Sequence, residues 1–179
     1  MLKSAVVDLG VEAEEDALFW IAKESTGSLR DAYTLLDQAA SFSGGRITLA
    51  SIREKLGVMD FETMNDLADG IRRQDAPFVL ERTHDILSGG VSIEQFVVDM
   101  AEYFRNVLFL KHGIRRQHLL GSPPSQFRRE VVDAFSAEQL EKAVDLFMEL
   151  YRRLKYTLSP VFELELVMSR LASLARLVA

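Results

Sequence analysis

No cysteine occurs anywhere in the 179 residues. Disulfides, thiolate zinc sites and cysteine nucleophiles are therefore excluded. Histidine is scarce as well, at His84, His112 and His118. The last two stand six apart, off the i,i+4 spacing that puts two ligands on one helical face, so no metal site is expected. No apolar run approaches the roughly 20 residues that span a bilayer. Met1-Leu2-Lys3 leads into Asp8 and an acidic run rather than an apolar signal core, so no membrane association and a cytoplasmic setting are expected. The Gly-x-x-x-x-Gly-Lys-Ser/Thr loop that cradles phosphates is missing. So are a strand ending in an acidic pair for magnesium and a Gly-x-Ser-x-Gly nucleophile elbow. No catalytic residue is expected.

What is present suits a packed protein: 48% hydrophobic and 27% charged residues, enough for one or two domains with real cores. Net charge is −6 and the pI about 5.2, which argues against a free-standing nucleic-acid binder. It does not argue against a subunit whose partners hold the DNA.

The spacing of apolar residues predicts helices almost throughout. Glu12 to Glu24 begins acidic and carries Ala17, Leu18, Ile21 and Ala22 on one stripe. A second helix runs from Leu29 to Phe42, with Leu29, Ala32, Tyr33, Leu36, Ala39 and Ala40 near one face, and Gly44-Gly45 breaks it. Thr48 is placed to cap a short helix through Leu56, closed by Gly57. Helices over Phe61 to Arg73 and Ala76 to Leu87 meet at Gln74-Asp75. Ser92-Ile93-Glu94-Gln95 and Ser136-Ala137-Glu138-Gln139 read as capping boxes. The first opens a long helix ended by Gly113, with Ile93, Phe96, Val97, Met100, Phe104, Val107 and Leu108 inward. Gly121-Ser122-Pro123-Pro124 is a break before a helix around Phe127 to Phe135. The second box opens a helix with Leu140, Val144, Phe147, Tyr151 and Leu154 on one stripe. Ser159-Pro160 starts a last helix to about Val178, apolar on more than one side and including Leu174 and Leu177. Such a helix is either central in its domain or buries a face in a neighbouring subunit. The fold class is all-α. Two units are expected, residues 1–57 and 58–179, and the abrupt start of the first suggests a piece of a larger chain.

One helix start stands apart. Gly27-Ser28-Leu29-Arg30-Asp31 gives an N-cap serine and an acidic residue three positions on, another capping box. Arg30 sits in that first turn, where free N–H groups already make the helix end positive. The charge is useful there if an anion such as a phosphate comes to rest on it. Alternatively Arg30 pairs with Glu24 or Asp31, or faces water, a common and weak arrangement. Carboxylate runs such as Glu12, Glu14, Glu15, Asp16 and Glu163, Glu165 fit helix starts and solvated faces. The basic clusters Lys111 to Arg116, Arg128-Arg129 and Arg152-Arg153-Lys155 have few aromatics interleaved for base stacking and read as solvated faces.

The stretch from Ile21 through Gly27-Ser28-Leu29-Arg30-Asp31-Ala32 to Leu35-Leu36-Asp37-Gln38-Ala39 closely resembles the lid of the gamma/tau subunit family of bacterial DNA polymerase III, the ATPase motor of the clamp loader. Gly44-Gly45-Arg46-Ile47-Thr48 and Leu56-Gly57-Val58-Met59-Asp60 follow where that family has similar segments. The likeness continues more weakly through Gly90-Val91-Ser92-Ile93-Glu94-Gln95-Phe96 and Tyr103-Phe104-Arg105-Asn106-Val107-Leu108 to Glu163-Leu164-Glu165-Leu166.

The resemblance implies a small helical AAA+ lid over residues 1–57 and a helical-bundle collar over 58–179. It implies that Gly27, Ser28, Leu29 and Arg30 belong to a sensor 2 motif, with Arg30 reaching the γ-phosphate of ATP held by a preceding domain. Implied partners are other gamma/tau copies, the delta and delta-prime subunits and a peptide of the psi subunit. The sliding clamp and primed DNA are reached through the intact complex. ATP is the cofactor of the parent only. These residues hold no Walker motifs, zinc-binding cysteines or arginine finger, so they are expected neither to bind ATP tightly nor to hydrolyse it. Two other readings remain: a non-catalytic helical adaptor, and the lid and collar of a delta-prime type subunit.

Overall fold

The structure, a computed structural model, describes residues 2–25 and 27–173. The chain divides into two compact units, Met1–Val58 and Met59–Ala179.

The first unit contains helices α1 (Leu2–Asp8), α2 (Glu15–Glu24), α3 (Leu29–Phe42) and α4 (Leu49–Leu56). The all-α expectation holds apart from one short feature: β1 (Glu12–Ala13) and β2 (Arg46–Ile47) pair in parallel, Glu12 opposite Arg46 and Ala13 opposite Ile47. Two residues a strand are too few to show alternation in a sequence. The first three residues of the helix expected from Glu12 are taken by this pairing and by Glu14. The Glu14 carboxylate accepts from Leu49 N at 3.3 Å, so it serves the start of α4. Helix α1 lies outside the helices that the sequence predicts; its signal is the 3,1 spacing of Leu2, Ala5 and Val6, of which Ala5 and Val6 are buried. Ala17, Leu18, Ile21, Ala32, Leu36, Ala39, Ile47 and Ile52 complete the core, while Ala22 and Tyr33 face out.

The second unit contains α5 (Phe61–Arg72), α6 (Ala76–Ser88), α7 (Ile93–Lys111), α8 (Gln117–Leu120), α9 (Arg129–Ala134), α10 (Ala137–Arg153) and α11 (Pro160–Leu171). Side chains cap most of these starts. Asp60 accepts from Thr63 N at 2.8 Å and Asp75 from Phe78 N at 3.1 Å. Ser136 and Gln139 form both arms of a capping box. At Ser92 only the serine arm forms, because the Gln95 amide donates instead to Asp99 at 2.8 Å. Ser159 makes no side-chain cap; Pro160 at the first helical position supplies the start.

Helix α7 is the centre of this unit. It packs against α5, α9, α10 and α11 and buries Phe96, Val97, Met100, Tyr103, Phe104 and Val107. Each large side chain so buried contributes roughly 1.5–3 kcal/mol. The stripe on α10 is Leu140, Ala143, Leu146, Phe147, Leu150 and Leu154; Val144 and Tyr151 flank it. Helix α11 buries Leu164, Val167, Met168 and Leu171 and exposes Val161, Phe162 and Leu166. It is therefore two-faced rather than surrounded. Leu174 and Leu177 lie outside the described residues.

Candidate functional site

The chain approaches α3 through a turn built by its own sequence. Ser25 is buried and its hydroxyl donates to the Ile21 carbonyl. Ser28 N donates to Ser25 O at 2.8 Å. Gly27 closes the turn at φ 86°, a left-handed conformation that suits glycine. Ser28 then takes an extended conformation and its hydroxyl accepts from Asp31 N at 3.3 Å. That cap leaves the N–H groups of Leu29 and Arg30 without intrahelical acceptors.

The four residues singled out from the sequence thus stand together on one exposed turn. Gly27, Leu29 and Arg30 are exposed, and Ser28 is half-buried. Neither Glu24 nor Asp31 forms an ion pair with Arg30, and among the described residues no other carboxylate does. Its carbonyl accepts from the Thr34 hydroxyl at 2.9 Å, while its guanidinium faces outward. The opposite face of α3 is anchored by Ala32, Leu36 and Ala39 against α1, α2 and α4. The arrangement can present a fixed cation and free N–H donors to an anion. Its hydroxyls, on Ser28 and Thr34, are engaged with the backbone, and among the described residues no group of carboxylates and histidines could hold a metal. No described helix is long and apolar enough to cross a membrane.

Leu29 and Tyr33 are both expected on the apolar face of α3 and both face out; Tyr33 is 39% exposed. It stands one turn beyond Leu29, which is 52% exposed, so the two form an apolar pair beside Arg30. The signal lay in the spacing 32, 36, 39, which puts position 33 about a quarter turn off the stripe. Thr26, within the quoted stretch, lies outside the described residues.

The second unit holds a buried polar cluster that no motif announced. The Asn65 carbonyl oxygen accepts from Tyr103 Oη at 2.7 Å and from Arg128 N at 3.3 Å. Its amide donates to Gln126 O at 2.9 Å. The Arg128 guanidinium reaches Glu62 at 2.6 Å and Asp66 at 2.8 Å, and those bonds hold it in its charged form. Burial pushes the Tyr103 hydroxyl well above the ordinary tyrosine value, with Arg128 opposing the shift and Glu62 and Asp69 adding to it. These groups fasten the Pro124–Arg128 segment to α5 and α7. They face protein on every hydrogen bond described, so their work is structural.

Two family models match the chain. One, described as a DNA polymerase III clamp loader subunit ATPase lid domain, covers residues 2–45; the other, described as DNA polymerase III subunits gamma and tau domain III, covers residues 47–179. The second begins within the first compact unit, so it takes in α4, which packs against α2 and α3. The DNA polymerase III subunit tau of Bacillus subtilis is 27% identical over 84% of this chain and 27% of its own length. The subunit gamma of Buchnera aphidicola is 24% identical over 59% of this chain and 29% of its own length. The chain thus spans little more than a quarter of either relative. Among solved structures, the Bacillus subtilis DNA clamp loader delta protein shares the fold at a TM-score of 0.55 and 16% identity, covering 95% of this chain and 55% of that one. That likeness speaks for the fold alone. Since the domain III match takes in three-quarters of the residues and the lid match most of the rest, the chain belongs to the gamma and tau subunit family of DNA polymerase III.

Proposed function

We propose that residues 1–57 act as the lid, and residues 58–179 as the collar, of a clamp-loader motor subunit. In the intact subunit, Arg30 senses the γ-phosphate of ATP held by a preceding ATPase domain. Gly27 and Ser28 shape the turn that presents it, and Leu29, with Tyr33 behind it, offers an apolar edge to the nucleotide. Binding of ATP draws the lid inward through Arg30. The lid reorients against the fixed collar, and the change passes along a ring of subunits, which opens a sliding clamp for loading on primed DNA. The ring partners on this reading are other gamma/tau copies with delta and delta-prime, and a psi peptide docks on the collar. The work is done in the cytoplasm.

One observation supports this reading above the others: Arg30 is exposed and without an ion pair among the described residues, on a capped helix start inside the lid-matching stretch. The guanidinium is therefore available to an anion brought by a preceding domain. The chain itself lacks a phosphate cradle, so a free lid and collar hold ATP weakly and do not turn it over.

The test is Arg30→Ala in the full-length subunit. Loss of one charge-assisted contact to phosphate costs about 1.5–3 kcal/mol, so ATP-driven clamp binding should weaken by about 10- to 100-fold. Normal ATP-dependent clamp loading by that variant would reject the sensing role and leave a helical adaptor as the better description.

A further inference from the structure

Between Glu102 and Glu130 the sequence contains no carboxylate, yet six cations fall there: Arg105, Lys111, Arg115, Arg116, Arg128 and Arg129. In a chain of net charge −6 this is a local reversal of sign. The structure shows which of these charges are already engaged. Arg128 is held by Glu62 and Asp66, and Arg105 lies 3.9 Å from Glu102. Lys111 donates to two neutral groups, Val132 O at 3.3 Å and Asp133 O at 3.1 Å, at the C-terminal end of α9. Arg129 bonds Asp133 at 3.2 Å but its side chain is 91% exposed. Arg115 and Arg116 are exposed and form no ion pair among the described residues.

Arg115, Arg129 and Asp133 form part of the rim of a cleft of about 620 Å³ whose floor includes Leu110, Phe127 and Val132. The rim carries two cations against one carboxylate, which Arg129 already pairs, so Arg115 leaves it net positive, and Lys111 adds a charge just outside the lining. An apolar floor below a net positive rim is complementary to a chain that offers carboxylates on either side of one apolar side chain. We propose that this cleft, between the end of α7 and α9, docks an acidic segment of a partner protein that seats one aliphatic or aromatic side chain on Leu110, Phe127 and Val132. The site goes beyond the lid and collar reading and does not depend on it.

Two observations favour a peptide over a nucleic acid. Phe127 is 6% exposed and Phe104 is fully buried, while Phe109 lies under the Arg105 guanidinium at 5.1 Å. None of these three rings presents a whole face on which a base could stack, while the little of Phe127 that is exposed still floors the cleft. The floor is also concave and fixed. Lys111 ties α7 to the end of α9, and the Asn65 side chain holds Gln126 O and Arg128 N on either side of Phe127. A preformed floor lowers the ordering cost of a short peptide, and the charged rim steers it in at low salt.

The experiment is selection of a displayed peptide library, random at one position flanked by acidic pairs, against the 179-residue chain. Recovered peptides are then measured by fluorescence anisotropy. The expected result is enrichment of Leu, Ile, Phe or Trp at the central position. Binding should weaken by about tenfold or more with Arg115→Glu plus Arg129→Glu, and fall with salt. Arg152→Glu, a charge reversal on α10, should change nothing, and circular dichroism should confirm that each variant is folded. The proposal is overturned by no enrichment, by peptides indifferent to the double reversal, or by labelled oligo-dT binding through the same two arginines while the peptides do not.

Discussion

At the scale of single residues, Asn65 and Arg30 mark the two extremes of what a polar side chain does here. Arg30 touches little and its value lies in what it is free to meet. Asn65 is fully buried and satisfied by three partners. Replacing it by alanine strands the Tyr103 hydroxyl and the Gln126 carbonyl, at about 2–4 kcal/mol. Tyr103→Phe is milder, about 0.5–1.5 kcal/mol, because the Asn65 oxygen still accepts from Arg128 N. The tyrosine also gives the fold a pH limit. Burial raises its pKa in the folded state above the ordinary value near 10, so above that pH the folded chain keeps a proton that the unfolded chain has released. The sign follows: this contribution is full below about pH 10 and is lost as pH rises further. Denaturant unfolding from pH 8 to 11 should show stability falling at the alkaline end, and the Tyr103→Phe variant should fall less steeply. Parallel curves would assign the alkaline loss to other groups.

At the scale of elements, the helices most visible in the sequence are those with both a cap and a full apolar stripe. Helix α3 begins at Leu29 and ends at Phe42 as its Ser28 cap and the Gly44-Gly45 break indicate. The family was legible because the lid motif is a short run of specific residues around that cap. What stayed hidden has physical causes. Helix α1 is short, and the sequence offers no Ser, Thr, Asp or Asn at its start to announce it. The β1–β2 pair joins residues more than 30 positions apart. The Asn65 cluster needs α5, α7 and the Pro124–Arg128 segment brought together, and no local pattern records such a meeting. The close approach of α5 and α6 is hidden in the same way, in Gly70. An added Cβ there would stand 2.6 Å from the Phe78 ring and 3.0 Å from Val79. Alanine would gain up to about 1 kcal/mol of helix propensity and lose about 1–3 kcal/mol to the overlap. Thermal unfolding of Gly70→Ala should therefore show a net loss of about 1 kcal/mol; a stabilised variant would mean that Phe78 yields freely.

At the scale of the whole molecule, the surface of the second unit is less finished than its core. From Tyr156 to Leu166, five large apolar side chains are exposed: Tyr156, Leu158, Val161, Phe162 and Leu166. Phe162 and Leu166 lie four apart on α11 and share a face opposite the buried Leu164, Val167 and Met168. Large apolar side chains exposed together on one helix face mark an interaction surface more often than a solvated one. On the collar reading, copies of the chain supply the cover. Light scattering across a concentration series should then give a mass above the 20.2 kDa monomer that grows with concentration, and Phe162→Asp should return it toward 20.2 kDa. The substitution removes apolar area at a position that is 63% exposed, so the fold itself should survive it. A constant 20.2 kDa would exclude self-association as the cover. The α11 face would then belong to an unlike subunit, or to copies brought together by their ATPase domains, and the ring would be assembled from outside the collar rather than by it.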